Sequence, residues 1–217
     1  MNKGLWACLL GLLMAIFSWS SGAQPVESGS PAVMQLTAIL EKTGSLRAEV
    51  EQLMLDQEGR ELQEVRATLI MQKPDHFYWQ TSEPYEQLML TDGQKIWIYE
   101  PDLEQVTIQA FDAEVGRTPV LLLSGSAASL AEAYDIEMAL LPHNGRTRFV
   151  LLPKDPGSLF ERLSLTFFDD KLEEMQFEDS LGQKTSLSFS GQEVNVPIAP
   201  EVFEFVIPPG TDVIDGT

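Results

Sequence analysis

Between Ser45 and Phe111 apolar and polar residues alternate with a period of two. The runs are cut at Asp56-Gln57-Glu58-Gly59, Lys73-Pro74-Asp75, Ser82-Glu83-Pro84, Asp92-Gly93 and Glu100-Pro101-Asp102. A period of two belongs to strands, whose side chains point to opposite faces in turn. Asp-Gly between two such runs is a strong hairpin signal, and roughly six antiparallel strands fit the stretch. Ahead of it the period is helical: Ser30 precedes Pro31 at the first helical position, and Val33, Leu36, Ile39 and Leu40 share one side. Gly44 is placed to cap that helix. Thr118-Pro119 opens a second helical piece through Val120-Leu121-Leu122-Leu123, interrupted at Ser124-Gly125-Ser126 and resumed toward Tyr134.

Strand patterning returns from Ile136 to Val194, with turns at His143-Asn144-Gly145, Asp155-Pro156-Gly157, Asp169-Asp170-Lys171 and Leu181-Gly182-Gln183. Residues 199–203 suit one helical turn, before a last strand and Pro208-Pro209-Gly210. About eleven short strands with closely spaced turns point to a barrel or sandwich rather than a βαβ fold. No repeat and no linker divides the chain, so one domain is expected.

Several strands are apolar on both sides. Phe77 and Trp79 alternate onto one face of their strand, and Leu88-Met89-Leu90 has no polar side. In the next strand Ile96 and Ile98 share one face while Trp97 and Tyr99 share the other. A sheet with one wet face carries polar residues at every second position. Two arrangements satisfy this pattern: a thick core with helices packed on it, or an apolar cavity beneath a helical cover.

Charge narrows the partners. With 14 basic and 33 acidic residues among 217, the net charge is -19. Such a surface repels phosphate backbones, which excludes nucleic acid as a partner, and anionic headgroups, which disfavours charge-driven adsorption to membranes. Residues 1–23 read as a signal peptide: Lys3 is the positive start, residues 5–19 are almost wholly apolar, and Ser21-Gly22-Ala23 offers the small residues that a signal peptidase requires. Cleavage there leaves residues 24–217 as the mature domain and removes Cys8, the one cysteine. Cys8 lies near the start of the apolar run, not just after it where an acylated cysteine would stand. The mature chain is then unanchored, without disulfides, and held by its core.

Catalytic constellations are missing from the pattern. His76 and His143 both fall beside turns and read as solvated loop residues, so no zinc ligand set exists. The stretch around Ser124 lacks the leading glycine of a nucleophile elbow, and no glycine-rich loop leads into a helix with a following lysine. Asp169, Asp170, Glu173 and Glu174 flank a hairpin turn without calcium-loop spacing. No cofactor, no metal and no enzymatic activity are expected.

Taken in order, the pieces resemble the periplasmic outer-membrane lipoprotein carrier family, LolA. The resemblance rests on Lys73-Pro74-Asp75-His76-Phe77-Tyr78-Trp79, Glu83-Pro84, Thr91-Asp92-Gly93 and Ile96-Trp97-Ile98-Tyr99. It extends through residues 116–123, Phe149-Val150-Leu151-Leu152-Pro153-Lys154 and the ending Phe203-Glu204-Phe205-Val206-Ile207-Pro208-Pro209-Gly210. It implies a mainly β protein with some α: an incomplete, open antiparallel β-barrel of about eleven strands with a lid of short helices over an apolar cavity. It implies a task as well. A monomeric periplasmic chaperone accepts acylated lipoproteins from an inner-membrane lipoprotein-releasing ABC transporter, shields their acyl chains, and hands them to an outer-membrane lipoprotein receptor. The alternative is a lipoprotein-sensing regulatory domain of the same fold. By the resemblance, Lys73 closes the lid through carbonyls around Val120 and Leu123. Phe77, Trp79, Leu88, Leu90, Trp97, Tyr99, Leu121 and Leu122 lie on the cargo path. The family usually has Arg where this chain has Lys73, and an ammonium lacks the planar five-donor fork of a guanidinium.

Overall fold

The computed structural model describes residues 30–111, 119–125, 127–141 and 145–216. The expected signal segment, the Gly116-Arg117-Thr118 part of the family pattern, and His143 lie outside these residues.

Helix α1 spans Pro31–Glu41. Its start is dictated locally: Ser30 Oγ accepts the amide of Val33 at 3.3 Å, and Pro31 supplies the fixed first φ. Ala32, Val33, Leu36, Ile39 and Leu40 are its buried stripe. The end differs from the expectation, because Lys42 is the C-cap in ordinary right-handed geometry. Gly44 has another task, donating its amide to Asn195 Oδ1 and accepting from the Lys73 amide.

Six strands follow as the alternation predicts: β1 (Ser45–Leu55), β2 (Glu61–Gln72), β3 (His76–Glu83), β4 (Gln87–Asp92), β5 (Lys95–Glu100) and β6 (Gln105–Ala110). A 3-10 turn at Pro119–Leu123 and helix α2 (Ala127–Ala133) interrupt them. Then come β7 (Tyr134–Leu140), β8 (Arg146–Pro153), β9 (Phe160–Phe168), β10 (Lys171–Asp179) and β11 (Lys184–Val194). The Asp-Gly turn works as its chemistry requires. Gly93 has φ +86°, and Asp92 Oδ1 accepts the amides of Gln94 and Lys95.

The expected final strand before Pro208-Pro209-Gly210 is irregular chain. The last strand, β12 (Asp212–Asp215), lies beyond that turn and brings the number of strands to twelve. It pairs parallel to β6 because the chain after β11 crosses the outside of the sheet before returning. All other neighbours are antiparallel, in the order β12-β6-β5-β4-β3-β2-β1-β11-β10-β9-β8-β7. Among the described residues no ladder joins β12 to β7, so the barrel is open.

Register shows which side chains share a face. Leu46, Met71, Phe77, Thr91 and Ile96 form one row across β1–β5, and Ala48, Leu69, Trp79, Met89 and Ile98 form the next. In the other half Leu187, Met175, Leu165, Phe149 and Met138 run across β11–β7. Side chains of both halves pack in one cluster with α1 and the residues of the 3-10 turn, so the sheet curls around them. At about 25 cal/mol per Å² of apolar surface, this shared burial is the main force that holds the disulfide-free domain.

Candidate functional site

The inner face of the curled sheet is apolar over its middle rows, turns polar at β6 with Gln105, Thr107 and Gln109, and is roofed by α1, the Pro119–Leu123 turn and α2. The roof is built from sequence that cannot make a long helix. Pro119 starts the turn, and Ser124-Gly125 ends it, with Ser124 Oγ folding back onto the Leu121 carbonyl at 2.8 Å. Val120, Leu121 and Leu123 point inward and are buried; Leu122 is half-buried and packs on the same cluster. Backbone hydrogen bonds tie this roof to the sheet: the Asp75 amide, in the β2–β3 turn, donates to the Ser124 carbonyl at 3.1 Å, and the Lys154 amide, just after β8, donates to the Ala133 carbonyl at the end of α2 at 3.0 Å.

Lys73 stands in the same turn, but its ammonium bonds elsewhere than the resemblance implied. Lys73 Nζ donates to the Leu40 carbonyl at 2.8 Å, at the C-terminal end of α1, and not to carbonyls at Val120 or Leu123. The physical reason still holds, since the last carbonyls of a short helix lack intrahelical partners; α1 is the helix that offers them. Leu123 lies next to Lys73 around a small void with Leu40, Leu46, Met71 and Phe167. Burial in that setting holds the Lys73 amine below its ordinary range, partly offset by the Glu41 carboxylate.

Phe77 and Trp79 do face the interior, with rings stacked at 6.4 Å. Phe77 has no exposure at all and belongs to the centre of the core, while Trp79 reaches the open end. Beside Trp79 a cleft of ≈ 180 Å³ runs between Met89, Pro119, Val120, Phe177 and Leu187. It continues past Gln52, Trp79 and Gln87 into a wider mouth of ≈ 480 Å³ at the β1–β2, β3–β4 and β5–β6 ends of the sheet. The Lys73 turn is at the opposite end.

Leu88, Leu90, Trp97 and Tyr99 do not line this space. Pairing of Tyr78 with Leu90, Leu90 with Trp97 and Leu88 with Tyr99 puts all four on the outer face, opposite Phe77 and Trp79. Alternation alone establishes that the two sets are opposed; it does not tell which set faces the cavity. The outer set forms a second small core with Val106 and Ile108, roofed by the C-terminal segment. Phe205 packs on Trp97 at 6.4 Å and on Tyr99 at 5.7 Å, and Phe203 meets the His76 ring edge-on at 5.2 Å. His76 is therefore a half-buried strand residue, its Nδ1 2.7 Å from the Pro74 carbonyl, rather than a solvated one.

The acidic turn is spent on ion pairs. Asp170 binds Lys42 at 2.7 Å, Glu173 pairs with Arg146, and Glu174 lies 3.5 Å from Arg148. Sequence reasoning passed over the Leu40 carbonyl, the Asp75 amide, Met89 and Pro119. Of these, Met89 was within reach, since it alternates onto the same face as Trp79 and Ile98.

Comparison with known proteins agrees with this geometry. The family described as "Outer membrane lipoprotein carrier protein LolA" matches residues 41–206. An outer-membrane lipoprotein carrier protein of Hahella chejuensis is 43% identical over 192 residues, covering 88% of this chain and 92% of that protein. One from Chromohalobacter salexigens is 41% identical over 209 residues, covering 96% of each. Among solved structures, a conserved protein of Thermus thermophilus shares the fold at a TM-score of 0.53 and 13% identity, covering 84% of this chain and 96% of that one.

Proposed function

The chain belongs to the outer-membrane lipoprotein carrier family LolA, and from that premise we propose how its parts carry the cargo. It is a lipoprotein carrier of the bacterial envelope. The observation that supports the reading best is the apolar middle of the inner face, covered by a roof made of short, separately anchored pieces. In the unloaded protein Val120, Leu121, Leu122 and Leu123 fill the place that acyl chains take. Loading displaces the Pro119–Leu123 turn from Trp79, Met89 and Phe177 and opens the cleft into a full cavity. Lys73 holds the closed state through α1, and Trp79 guides chains inward from the mouth.

On this proposal residues 1–23 direct export and are removed, and residues 24–217 work as a monomer in the periplasm. They take lipoproteins from an inner-membrane ABC transporter and deliver them to an outer-membrane receptor. Trp79 and Phe77 differ in role: Trp79 touches cargo, whereas Phe77 supports it from the core. The work is binding and transfer, with no bond made or broken. The lipoprotein-sensing regulatory alternative is not favoured, because the relatives that match over nine-tenths of their length are carriers.

Release from spheroplasts tests the proposal. The purified mature protein, added to spheroplasts making a labelled lipoprotein, is expected to bring the label into the supernatant as a soluble one-to-one complex. Label that stays in the membrane fraction at every protein concentration refutes it.

A further inference from the structure

The mouth at the sheet's open end differs in chemistry from the cleft it feeds. Its ≈ 480 Å³ falls within the range of ligand sites, about 300–1,000 Å³. Trp79 closes its inner end, where the apolar cleft begins. The side-chain amides of Gln52, Gln63 and Gln87 stand in its wall and form no hydrogen bond with any described residue. Each offers donors and an acceptor suited to a peptide backbone. Glu86, Glu100 and Asp102 line its outer part, and no basic residue does. None of the three carboxylates has an ion pair among the described residues. Glu86 accepts one bond, from Gln80 Nε2 at 3.2 Å.

The geometry points to a peptide subsite in this mouth, one that takes the first residues of the cargo polypeptide, just after its acylated cysteine, and favours basic over acidic sequence there. This rests on the carrier reading: a molecule whose acyl chains enter past Trp79 must leave its polypeptide emerging through the mouth. The free amides hold that segment's backbone whatever its sequence, and the unpaired carboxylates sort it by charge. Sorting of this kind works through Coulomb energy near a surface, so it weakens as salt rises.

The test uses synthetic triacylated cysteine lipopeptides followed by four lysines, four serines or four glutamates, together with a triacylated cysteine amide that has no further residue. Each displaces an apolar fluorescent probe from the purified mature protein. At low ionic strength the lysine peptide is expected to bind about tenfold more tightly than the glutamate peptide. The serine peptide should exceed the bare acylated cysteine by about fivefold. In Glu86→Gln/Glu100→Gln/Asp102→Asn the lysine preference should fall to about twofold. A control triple, Glu137→Gln/Asp155→Asn/Glu161→Gln, removes as much charge from the exposed β7–β9 side and should keep the full preference.

Equal loss of preference in both triples would assign it to net charge and overturn the subsite. So would equal affinities for all four ligands in the wild type. If the mouth triple binds every lipopeptide as the wild type does yet no longer collects lipoproteins from spheroplasts, the mouth is a docking surface for the donor and the peptide assignment falls. Failure of every ligand to displace the probe would overturn the carrier reading, and the subsite with it.

Discussion

Replacing Lys73 by Met tests which helix the ammonium holds. The side chain reaches the Leu40 carbonyl at 2.8 Å, and a hydrogen bond from a charged donor contributes about 1.5–3 kcal/mol when well sheltered. Two features reduce that figure. The amine is only half-buried, so solvent screens it. The Leu40 carbonyl also accepts from the Thr43 amide at 3.1 Å, so the substitution leaves no orphaned acceptor. Met in turn suits the neighbouring Leu46, Met71 and Phe167. The net loss should be about 1 kcal/mol, which in a protein of this size lowers Tm by about 2–4 °C. Locally it should raise amide exchange at the last turn of α1 about fivefold, since tenfold corresponds to about 1.4 kcal/mol. Native-state exchange followed by mass spectrometry distinguishes the possibilities. Faster exchange confined to residues 119–125, with α1 unchanged, would refute the α1 assignment and restore the Val120–Leu123 one.

Alkaline pH should reveal the same residue. With the folded amine below 10.5 and the unfolded one at its ordinary value, the unfolded chain holds the extra proton in that window, so the penalty for burying the Lys73 charge is relieved, and Lys73 stabilises more, as pH rises through it. Tyr78 and Tyr134, raised by burial, pull the other way above 10.0. The observable is therefore the difference in urea midpoint between wild type and Lys73→Met across pH 8–11, and a constant difference would refute the linkage. Trp79→Ala should weaken binding of an apolar dye several-fold, while Trp97→Ala should leave it unchanged and instead expose residues 200–215 to proteolysis; equal effects on dye binding would contradict the opposed faces. Phe77→Glu places a carboxylate at a site of zero exposure. The lost packing costs about 3–5 kcal/mol and the buried charge several more. That approaches a domain's whole stability, about 5–15 kcal/mol, so circular dichroism should show an unfolded chain at neutral pH. A folded Phe77→Glu protein would return Phe77 to the cargo path.

The strands were legible because alternation, Asp-Gly chemistry and proline placement all act locally. The first six follow the polar interruptions almost residue for residue. The site was legible only to the point where local information ends. Residues 96–99 reveal two apolar faces, but which face the roof covers depends on where residues 119–133 and 199–211 return, and period-two patterning carries no such term. The aromatic ending Phe203-Glu204-Phe205 held the missing clue, for two large rings in a strandless segment need a surface to cover. Lys73 shows the same limit. Pro74 and the short helices made a carbonyl-seeking ammonium predictable, while the choice of Leu40 required knowing that α1 ends against β2.

The energetics of the cargo explain why the roof is made of loosely joined parts. Three acyl chains hold about 45 methylenes, and full burial at roughly 0.8 kcal/mol each would give about 36 kcal/mol. Non-covalent affinities stop near 18–21 kcal/mol, so a carrier that buried everything and gave nothing back could not release its load. The ≈ 180 Å³ cleft beside Trp79 is smaller than an ordinary ligand site and cannot take the chains while the roof is closed. On the proposed function, loading lifts Val120, Leu121 and Leu123 out of the core, and the packing they lose is subtracted from what the acyl chains gain. Leu121 alone, with no exposure, gives up burial of the order of 1.5–3 kcal/mol. A roof that refills the cavity as cargo leaves returns that energy during delivery, which lowers what the next apolar surface has to supply. A pre-formed empty cavity of the same size would bind more tightly and have nothing to offer at release.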